Sequence, residues 1–269
     1  MNATQKVIKY CALALALLII ISIASAAVSL IGVITSVFDK DDTVLDKFNE
    51  LEISETQKIR SLEIDIKAAS LEIRTSDEFK IETNNKYIEC SSNKGTLKIF
   101  ERSHGKIHSV KSNVILYIPN NFKFNSTNIS SGAGKMTIDS LQTDNLSFEL
   151  GAGEVIIENI TVSEKAEIDG GAGNFEIRSG SINDLDLDIG VGHTELVLSL
   201  SGKSEINMGI GELEITLLGE KEGYSIDVDK GLGAVTIDGK NMQDGDVYGS
   251  GDNRIEVDGG VGSINVKFK

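Results

Sequence analysis

The sequence predicts an all-β protein: one transmembrane helix followed by a β-solenoid, a single-stranded β-helix-like coil of about 19–20 residues per rung. Three observations support this prediction. A Gly-x-Gly motif recurs seven times between Ser131 and Lys269. Apolar residues occupy the same positions around every copy of the motif. A run of 28 uncharged, mostly apolar residues, 11–38, precedes them.

The spacing of the motif indicates a repeat. Its copies begin at Gly132, Gly151, Gly171, Gly190, Gly209, Gly231 and Gly260. The intervals are 19, 20, 19, 19, 22 and 29 residues, so the last two intervals carry insertions. A unit of this size with two short strands matches one coil of a β-solenoid, whose rungs pair with their neighbours because none can bury its apolar face alone.

Apolar residues flank each motif at fixed distances. Three residues before the first glycine stand Ile129, Phe148, Ile168, Leu187, Ile206, Val228 and Val257. Six residues after it stand Ile138, Ile157, Ile177, Leu196, Ile215, Ile237 and Val266. Polar residues such as Glu176 and Arg178 alternate with them, which places the apolar set on one face of each strand. The alternative is an antiparallel β-sandwich with glycine-rich hairpins.

The glycines predict a sharp corner between the two strands of each rung. Glycine recurs there because the chain must turn through a conformation, with positive φ, in which a Cβ would clash. The residues between the glycines are expected to stack as an apolar column of Ala133, Ala152, Ala172, Val191, Ile210, Leu232 and Val261.

Composition and charge restrict the partners. The 269 residues include no Trp and one Pro, and aromatic residues make up 5%, so Ile, Leu and Val must form the core. The formal net charge is −15, and the residues after Phe38 carry −17 because Lys6 and Lys9 are the only charges before that point. Such a surface repels nucleic acid and bare anionic lipid, and it favours cationic partners.

The N-terminus predicts a membrane anchor. Residues 1–9 form a short basic segment, and residues 10–38 are long enough to span a bilayer as one helix. The lysines place the N-terminus in the cytoplasm and the C-terminal domain outside, which makes the chain a single-pass cell-membrane protein. A cleavable signal peptide ending at Ala24-Ser25-Ala26 is the alternative, but the apolar run continues for twelve residues beyond Ala26.

Three further segments follow the anchor. Residues 39–57 are charged and are interpreted as a juxtamembrane linker or short helix. Residues 58–130 are predicted to form strands that cap the open end of the solenoid, and residues 131–269 form the repeat. The capping strands are expected at 59–66, 70–74, 79–82, 87–89, 96–99 and 114–119.

No residue is predicted to be catalytic, cofactor-binding or metal-binding, so the chain is not expected to be an enzyme. Asp184, Asp186 and Asp188 alternate with aliphatic residues and indicate a solvated outer face, with a sugar-binding groove as the alternative. The histidines His104 and His108 belong to a basic hairpin loop and lack a third metal ligand nearby.

Other chemical motifs are absent or incomplete. His193 follows a glycine corner without a neighbouring nucleophile. With only Cys11 and Cys90, no disulfide framework forms, and Cys90 is interpreted as a small buried side chain. The calcium-binding nonapeptide requires aspartate where this chain has Phe175 and Ile264.

A strand ending in Tyr117-Ile118-Pro119, followed by rungs of the type Ile-x-x-Gly-Ala-Gly-x-Val-x-Ile, resembles the DUF4097 family of bacterial proteins over residues 58–269. The resemblance implies a β-helical, adhesin-like surface scaffold behind a membrane segment in the cell envelope. It also implies a surface or sensing role linked to envelope-stress response. No cofactor is expected, and a protein or glycan ligand is predicted to bind the solenoid face. A polysaccharide-acting β-helix enzyme and a regulatory subunit of a membrane complex are the alternatives.

Overall fold

The computed structural model describes residues 44–102 and 112–269, which form seventeen β-strands in one sheet and two short 3-10 helices. The all-β prediction is confirmed for these residues. Within these two ranges, none of the helices has the length and apolar character needed to cross a bilayer. The predicted transmembrane helix, residues 10–38, lies outside the described residues, as do Cys11, His104 and His108.

The strands are numbered in chain order. They are β1 Val44–Leu51, β2 Ser61–Ala68, β3 Ser70–Ser76, β4 Lys80–Asn85, β5 Ile88–Asn93, β6 Thr96–Glu101, β7 Asn113–Pro119, β8 Lys123–Ile138, β9 Leu141–Ile157, β10 Ile160–Ile177, β11 Gly180–Asn183, β12 Leu185–Ser201, β13 Lys203–Leu217, β14 Tyr224–Ile237, β15 Lys240–Met242, β16 Val247–Gly249 and β17 Asn253–Phe268. The 3-10 helices are Thr56–Lys58 and Lys221–Gly223.

The long strands stack in parallel, with the glycine motifs in register. β8 pairs with β9, β9 with β10, β10 with β12 and β12 with β13. The predicted superposition of the aliphatic residues that follow the motif is confirmed, because one column runs through Ile138, Ile157, Ile177, Leu196 and Ile215. This parallel pairing excludes the antiparallel sandwich.

The core consists of columns of side chains that point inward from successive rungs. The column before the motif contains Ile64, Ile129, Phe148, Ile168, Leu187, Ile206, Val257 and Val228. The column four residues after the first glycine contains Leu71, Met136, Val155, Phe175, Thr194, Leu213, Ile264 and Val235. Every member of both columns is buried. The period-two pattern therefore identifies the core correctly.

One rung lies inside the region predicted to be a cap. β2 and β3 together pair with β8, and Ala68 lies opposite Ala133. Lys67 and Ala69 stand where later rungs have glycine, so the motif is absent although the stacking is present. Ile64 and Ile73 keep the aliphatic positions of the repeat. The stack thus begins before residue 131.

The N-terminal end of the stack is covered by its own strands. β6 and β7 add one further parallel level on β2 and β3, and antiparallel β5 and β4 cover them in turn. β1 then pairs with β4, with Leu51 opposite Ile81. Within the segment 39–57, expected to be a linker or short helix, residues 44–51 thus form a strand, because the outer edge of β4 provides unpaired backbone groups that a strand can satisfy. Residues 39–43 lie outside the described ranges, and a short 3-10 helix begins at Thr56.

The order of rungs reverses at the C-terminal end. β17 lies between β13 and β14 and pairs in parallel with both. The short strands β15 and β16 pair antiparallel with β14 and cover its other edge. The 29-residue interval before the last motif contains this excursion. The outermost strands at this end, β15 and β16, have only three residues each, and short edge strands limit edge-to-edge pairing.

Candidate functional site

The outward positions before the glycine corner form an almost continuous acidic surface. Acids occupy twelve of the sixteen positions that lie two and four residues before the first glycine or its equivalent. From β9 to β14 they recur in every rung, whereas the β8 rung has Asn128 and Ser130 at these positions. We call this surface the acidic face. Its members are Glu63, Asp65, Glu149, Glu167, Asp169, Asp186, Asp188, Glu205, Glu256, Asp258, Asp227 and Asp229.

Few cations neutralise the acidic face. Lys98 Nζ lies 2.5 Å from Glu63 Oε1. Lys165 Nζ lies 3.5 Å from Asp186 Oδ2 and 3.9 Å from Glu167 Oε2. Among the described residues, these are the ion pairs that the face makes, so its carboxylates from Asp188 onward along the stack have none.

Like charges crowd together at the C-terminal end of the face. A hydrogen bond with Asp244 is the largest cause that raises the pKa of Asp229 above its ordinary value. The charges of Asp244, Asp258 and Asp227 raise this pKa further because they disfavour a second negative charge nearby. In the middle of the stack an amide relieves such crowding, since Asn207 Nδ2 donates to Asp188 Oδ1 at 2.7 Å.

Glycine is required at the corner by the close approach of neighbouring rungs. Gly153 has φ +151°, and a Cβ at this position would lie 1.8 Å from the carbonyl oxygen of Gly134. A Cβ at Gly151 would lie 2.0 Å from the carbonyl oxygen of Gly132. Backbone of one rung therefore packs directly on backbone of the next, as expected for a sharp glycine turn.

The residues between the glycines stack as predicted, but their side chains lie on the outside of the corner. Alanine fills this position in the first three motifs, and larger aliphatic residues fill it in the other four. Val191, Val261 and Leu232 are 43%, 39% and 67% exposed. We call Val191, Ile210, Val261 and Leu232, in their stacking order, the apolar ridge.

A groove runs along the stack between the acidic face and the glycine corner. It has a volume of about 690 Å³ and extends over the rungs from Gly132 to Gly209. Glu149, Asp169 and Asp188 form one side, and glycine backbone forms much of the floor. The groove thus offers carboxylate oxygens at regular intervals beside an open strip of main chain.

A small cavity of about 40 Å³ lies near the corner. Leu150, Ile189 and Phe175 line it. Gly170 stands between Leu150 and Ile189 in their column, and a Cβ there would lie 2.6 Å from Ile189 Cδ1. The fully buried Thr194 also lines it, and its Oγ1 has no hydrogen-bond partner. A water molecule needs two or more polar partners, so this single hydroxyl does not make a good water site.

The three aspartates considered from the sequence separate into two roles. Asp186 and Asp188 lie on the acidic face, where they stack on Glu205 and Asn207 of the next rung. Asp184 lies in the turn before β12 with φ 49°, and its Oδ1 accepts a hydrogen bond from the backbone N–H of Lys203 at 2.8 Å. The other members of the acidic face were not predicted from the sequence. Alignment of the motifs would have shown that acids recur two and four residues before the first glycine.

The remaining candidates are dispersed. His193 lies in β12 just after the glycine motif, whereas the acidic face lies before it, and His193 Nδ1 is 3.5 Å from Glu212 Oε2. Cys90 is half-buried rather than fully buried, its Sγ lies 3.3 Å from the carbonyl oxygen of Glu52, and burial raises the pKa of its thiol. Across the described ranges, no group of three His, Cys, Asp or Glu side chains could hold a metal ion.

Comparison with known proteins identifies a family. The family model described as Toastrack DUF4097 matches residues 59–265. No curated protein matches the chain.

Several solved structures resemble the chain weakly. A "putative cell adhesion protein" from Clostridium sporogenes is 18% identical, with a TM-score of 0.34, and the match covers 83% of this chain and 99% of that one. A "putative adhesin" from Bacteroides fragilis is 12% identical, with a TM-score of 0.38 and coverage of 82% and 96%. A "putative lipid binding protein" from Parabacteroides distasonis is 14% identical, with a TM-score of 0.31 and the same coverage.

Proposed function

This chain belongs to the Toastrack DUF4097 family over residues 59–265, and on that premise we propose that it is an adhesin-like binding scaffold on the cell surface. In this proposal the rungs form an extracytoplasmic β-solenoid, and the N-terminal apolar segment anchors it in the membrane. The scaffold also takes part in the envelope-stress response in this proposal, because the family resemblance implies such a link. The ligand is a protein or a glycan.

The observation that carries the proposal is the long outer surface of the stack. The interior of the stack is filled with aliphatic side chains, and the outward side chains repeat in straight columns. Each column is held in register by parallel backbone pairing along β9, β10, β12 and β13. A surface of this kind presents many equivalent groups to a partner at once, which favours binding through several weak contacts.

The anchor is supported by the sequence. Residues 11–38 contain no charge and are long enough to cross a bilayer, and Lys6 and Lys9 favour a cytoplasmic N-terminus. Protease added to intact cells tests this arrangement, since it should remove the acidic domain and spare a tag placed before residue 1. Protection of the acidic domain would exclude the extracytoplasmic location. A mature protein that begins after Ala26 would support the cleaved-signal alternative.

Binding is tested with the full-length chain in detergent. We expect it to bind immobilised envelope proteins or glycans and to leave those glycans intact. Adhesion of cells that carry the chain should fall when the gene segment for residues 58–269 is removed. Equal adhesion with and without this segment would contradict the scaffold proposal.

The groove supports a second candidate, a polysaccharide-acting enzyme. Its stacked carboxylates, such as Asp169 and Asp188, could lie beside a sugar chain. Glycosidases use one carboxyl group as an acid and a second as a base or nucleophile. The double variant D169N/D188N, which changes two carboxylates that line the groove, distinguishes the two: an enzyme would lose turnover of glycan, whereas a binding scaffold shows no turnover before or after substitution. Crosslinking through residues 11–38 tests the remaining alternative, a regulatory subunit of a membrane complex.

A further inference from the structure

We propose that the apolar ridge and the adjoining acidic face form one docking surface for a basic polypeptide segment that also carries apolar side chains. This inference rests on the proposed binding function and specifies its partner.

The ridge carries the first part of the argument. Its four side chains come from neighbouring rungs, which lie roughly 4.8 Å apart, so they form one continuous strip of about 14 Å. The fold does not require large residues there, because Ala133, Ala152 and Ala172 fill the same position in other rungs. Contiguous exposed aliphatic side chains usually mark an interaction site.

The chemistry of the partner follows from the charges beside the ridge. Asp188, Asp258 and Asp229 each stand three residues before a ridge residue, namely Val191, Val261 and Leu232. No cation of the described residues pairs with these three carboxylates. A partner that brings lysine or arginine would replace like-charge repulsion by attraction.

The same charges disfavour the other occupants. A second copy would place one negative surface against another, because the residues after Phe38 carry −17. An anionic bilayer would be repelled for the same reason. A purely cationic partner would leave the aliphatic strip in water, so the best fit is a segment in which basic and apolar residues alternate.

The chain itself provides matched substitutions. The ridge variant V191A/V261A/L232A installs the residue that Ala133, Ala152 and Ala172 already show to be tolerated. The face variant D188N/D258N/D229N installs an amide, which Asn207 already provides in the same column. The control variant E195Q/E220Q/E222Q removes the same number of charges from exposed positions outside the acidic face.

The experiment measures binding of the synthetic peptide (Lys-Leu)6 to the full-length protein in detergent. We expect both the ridge and the face variant to weaken the Kd by about tenfold or more, and the control to change it by less than about twofold. The peptide (Lys-Ser)6, which lacks apolar side chains, should bind the wild type as weakly as (Lys-Leu)6 binds the ridge variant. Circular dichroism checks that each variant is folded.

Four outcomes would overturn the inference. Equal weakening by the face and control variants would mean that the peptide senses net charge alone. An unchanged Kd for the ridge variant would remove the apolar contribution. Ridge-dependent binding of phosphatidylcholine vesicles, without peptide binding, would identify a membrane surface instead. If the wild type adheres to cells or glycans but does not bind (Lys-Leu)6, the docking surface fails while the proposed scaffold function stands.

Discussion

Gly262 stacks directly on Gly211, although a complete copy of the motif, beginning at Gly231, lies between them in the chain. The last strand of the protein is therefore an internal rung. It pairs along almost its whole length with β13 on one side and β14 on the other.

Removal of residues 253–269 should therefore disrupt the C-terminal rungs and not merely shorten the stack. The deletion exposes the facing edges of β13 and β14. It also removes four buried side chains from the core, those of Ile255, Val257, Ile264 and Val266. We expect limited proteolysis to cleave between residues 203 and 252 in the truncated chain and not in the full-length chain. Deletion of Lys269 alone is the control. Equal resistance of both proteins would show that β17 is dispensable.

Ile157 contributes to the central aliphatic column, and its replacement by alanine should lower the free energy of unfolding by about 2–5 kcal/mol. The side chain is fully buried, so the substitution leaves a cavity between Ile138 and Ile177. Urea denaturation measures the loss. The adjacent Ile156 points outward and is only partly buried, so I156A should cost less than about 1 kcal/mol. A similar loss for both variants would place the core elsewhere.

Gly153→Ala should prevent formation of the stack or lower its stability by more than about 3 kcal/mol. The added Cβ would meet the carbonyl oxygen of Gly134, a backbone atom that cannot move aside without breaking the rung. Ala152→Val is the matched control, because Val191 already occupies the equivalent exposed position. Thermal unfolding of the two variants should separate them clearly, and a G153A protein with wild-type Tm would contradict the close approach of the rungs.

Thr194→Val should stabilise the protein by about 1 kcal/mol, because it replaces an unpartnered buried hydroxyl with a methyl group of similar size. Thr143 is equally buried, but its Oγ1 donates to the carbonyl oxygen of Asn145 at 2.8 Å. T143V should accordingly destabilise the protein. Chemical denaturation of both variants gives the comparison, and changes of the same sign would argue against the difference in hydrogen bonding.

Asp229→Asn should raise Tm at pH 7, and the gain should disappear below about pH 4. The folded-state pKa of Asp229 is raised, so its contribution to stability is present below the ordinary pKa and is lost as the pH rises through the folded value. The asparagine side chain does not ionise, so the D229N variant does not lose this stability as the pH rises. Thermal unfolding between pH 3 and 8 measures the effect.

Asp144→Asn is the control with the opposite sign. Hydrogen bonds from Lys123 and then Ser163 lower the pKa of Asp144, so its contribution is present above the ordinary pKa and is lost as the pH falls through the folded value. D144N should therefore have a lower Tm than the wild type at pH 7 and approach it in acid. A gain for D144N, or none for D229N, would show that local charge does not govern these sites.

The sequence predicts the core well because apolar and polar residues alternate clearly in the strand segments before and after each glycine motif. It misses the rung formed by β2 and β3, since Lys67 and Ala69 remove the glycines while Ile64 and Ile73 keep the spacing. The sequence does not predict that β17 lies between β13 and β14. Val257 of β17 and Val228 of β14 are the same residue type at the same position of the repeat, so either strand could pair with β13.

The candidate site was predictable only in part. Asp186 and Asp188 were recognisable as outward residues, and the same alignment extends to their cross-rung neighbours. The outward direction of the Val191 side chain was not predictable from the sequence, because the alternation of inward and outward residues is interrupted at a glycine corner. The crowding of Asp229 by Asp244 depends on where the segment between β15 and β16 returns, which is a tertiary feature.

The antiparallel strands at both ends of the stack have a consequence for its length. Each central rung contacts the rungs before and after it, and the terminal edges are already covered whatever number of rungs lies between them. Duplication or loss of one 19-residue unit would therefore lengthen or shorten the protein by roughly 4.8 Å without creating a new exposed edge. The length of the stack is thus a quantity that gene duplication can adjust in equal increments.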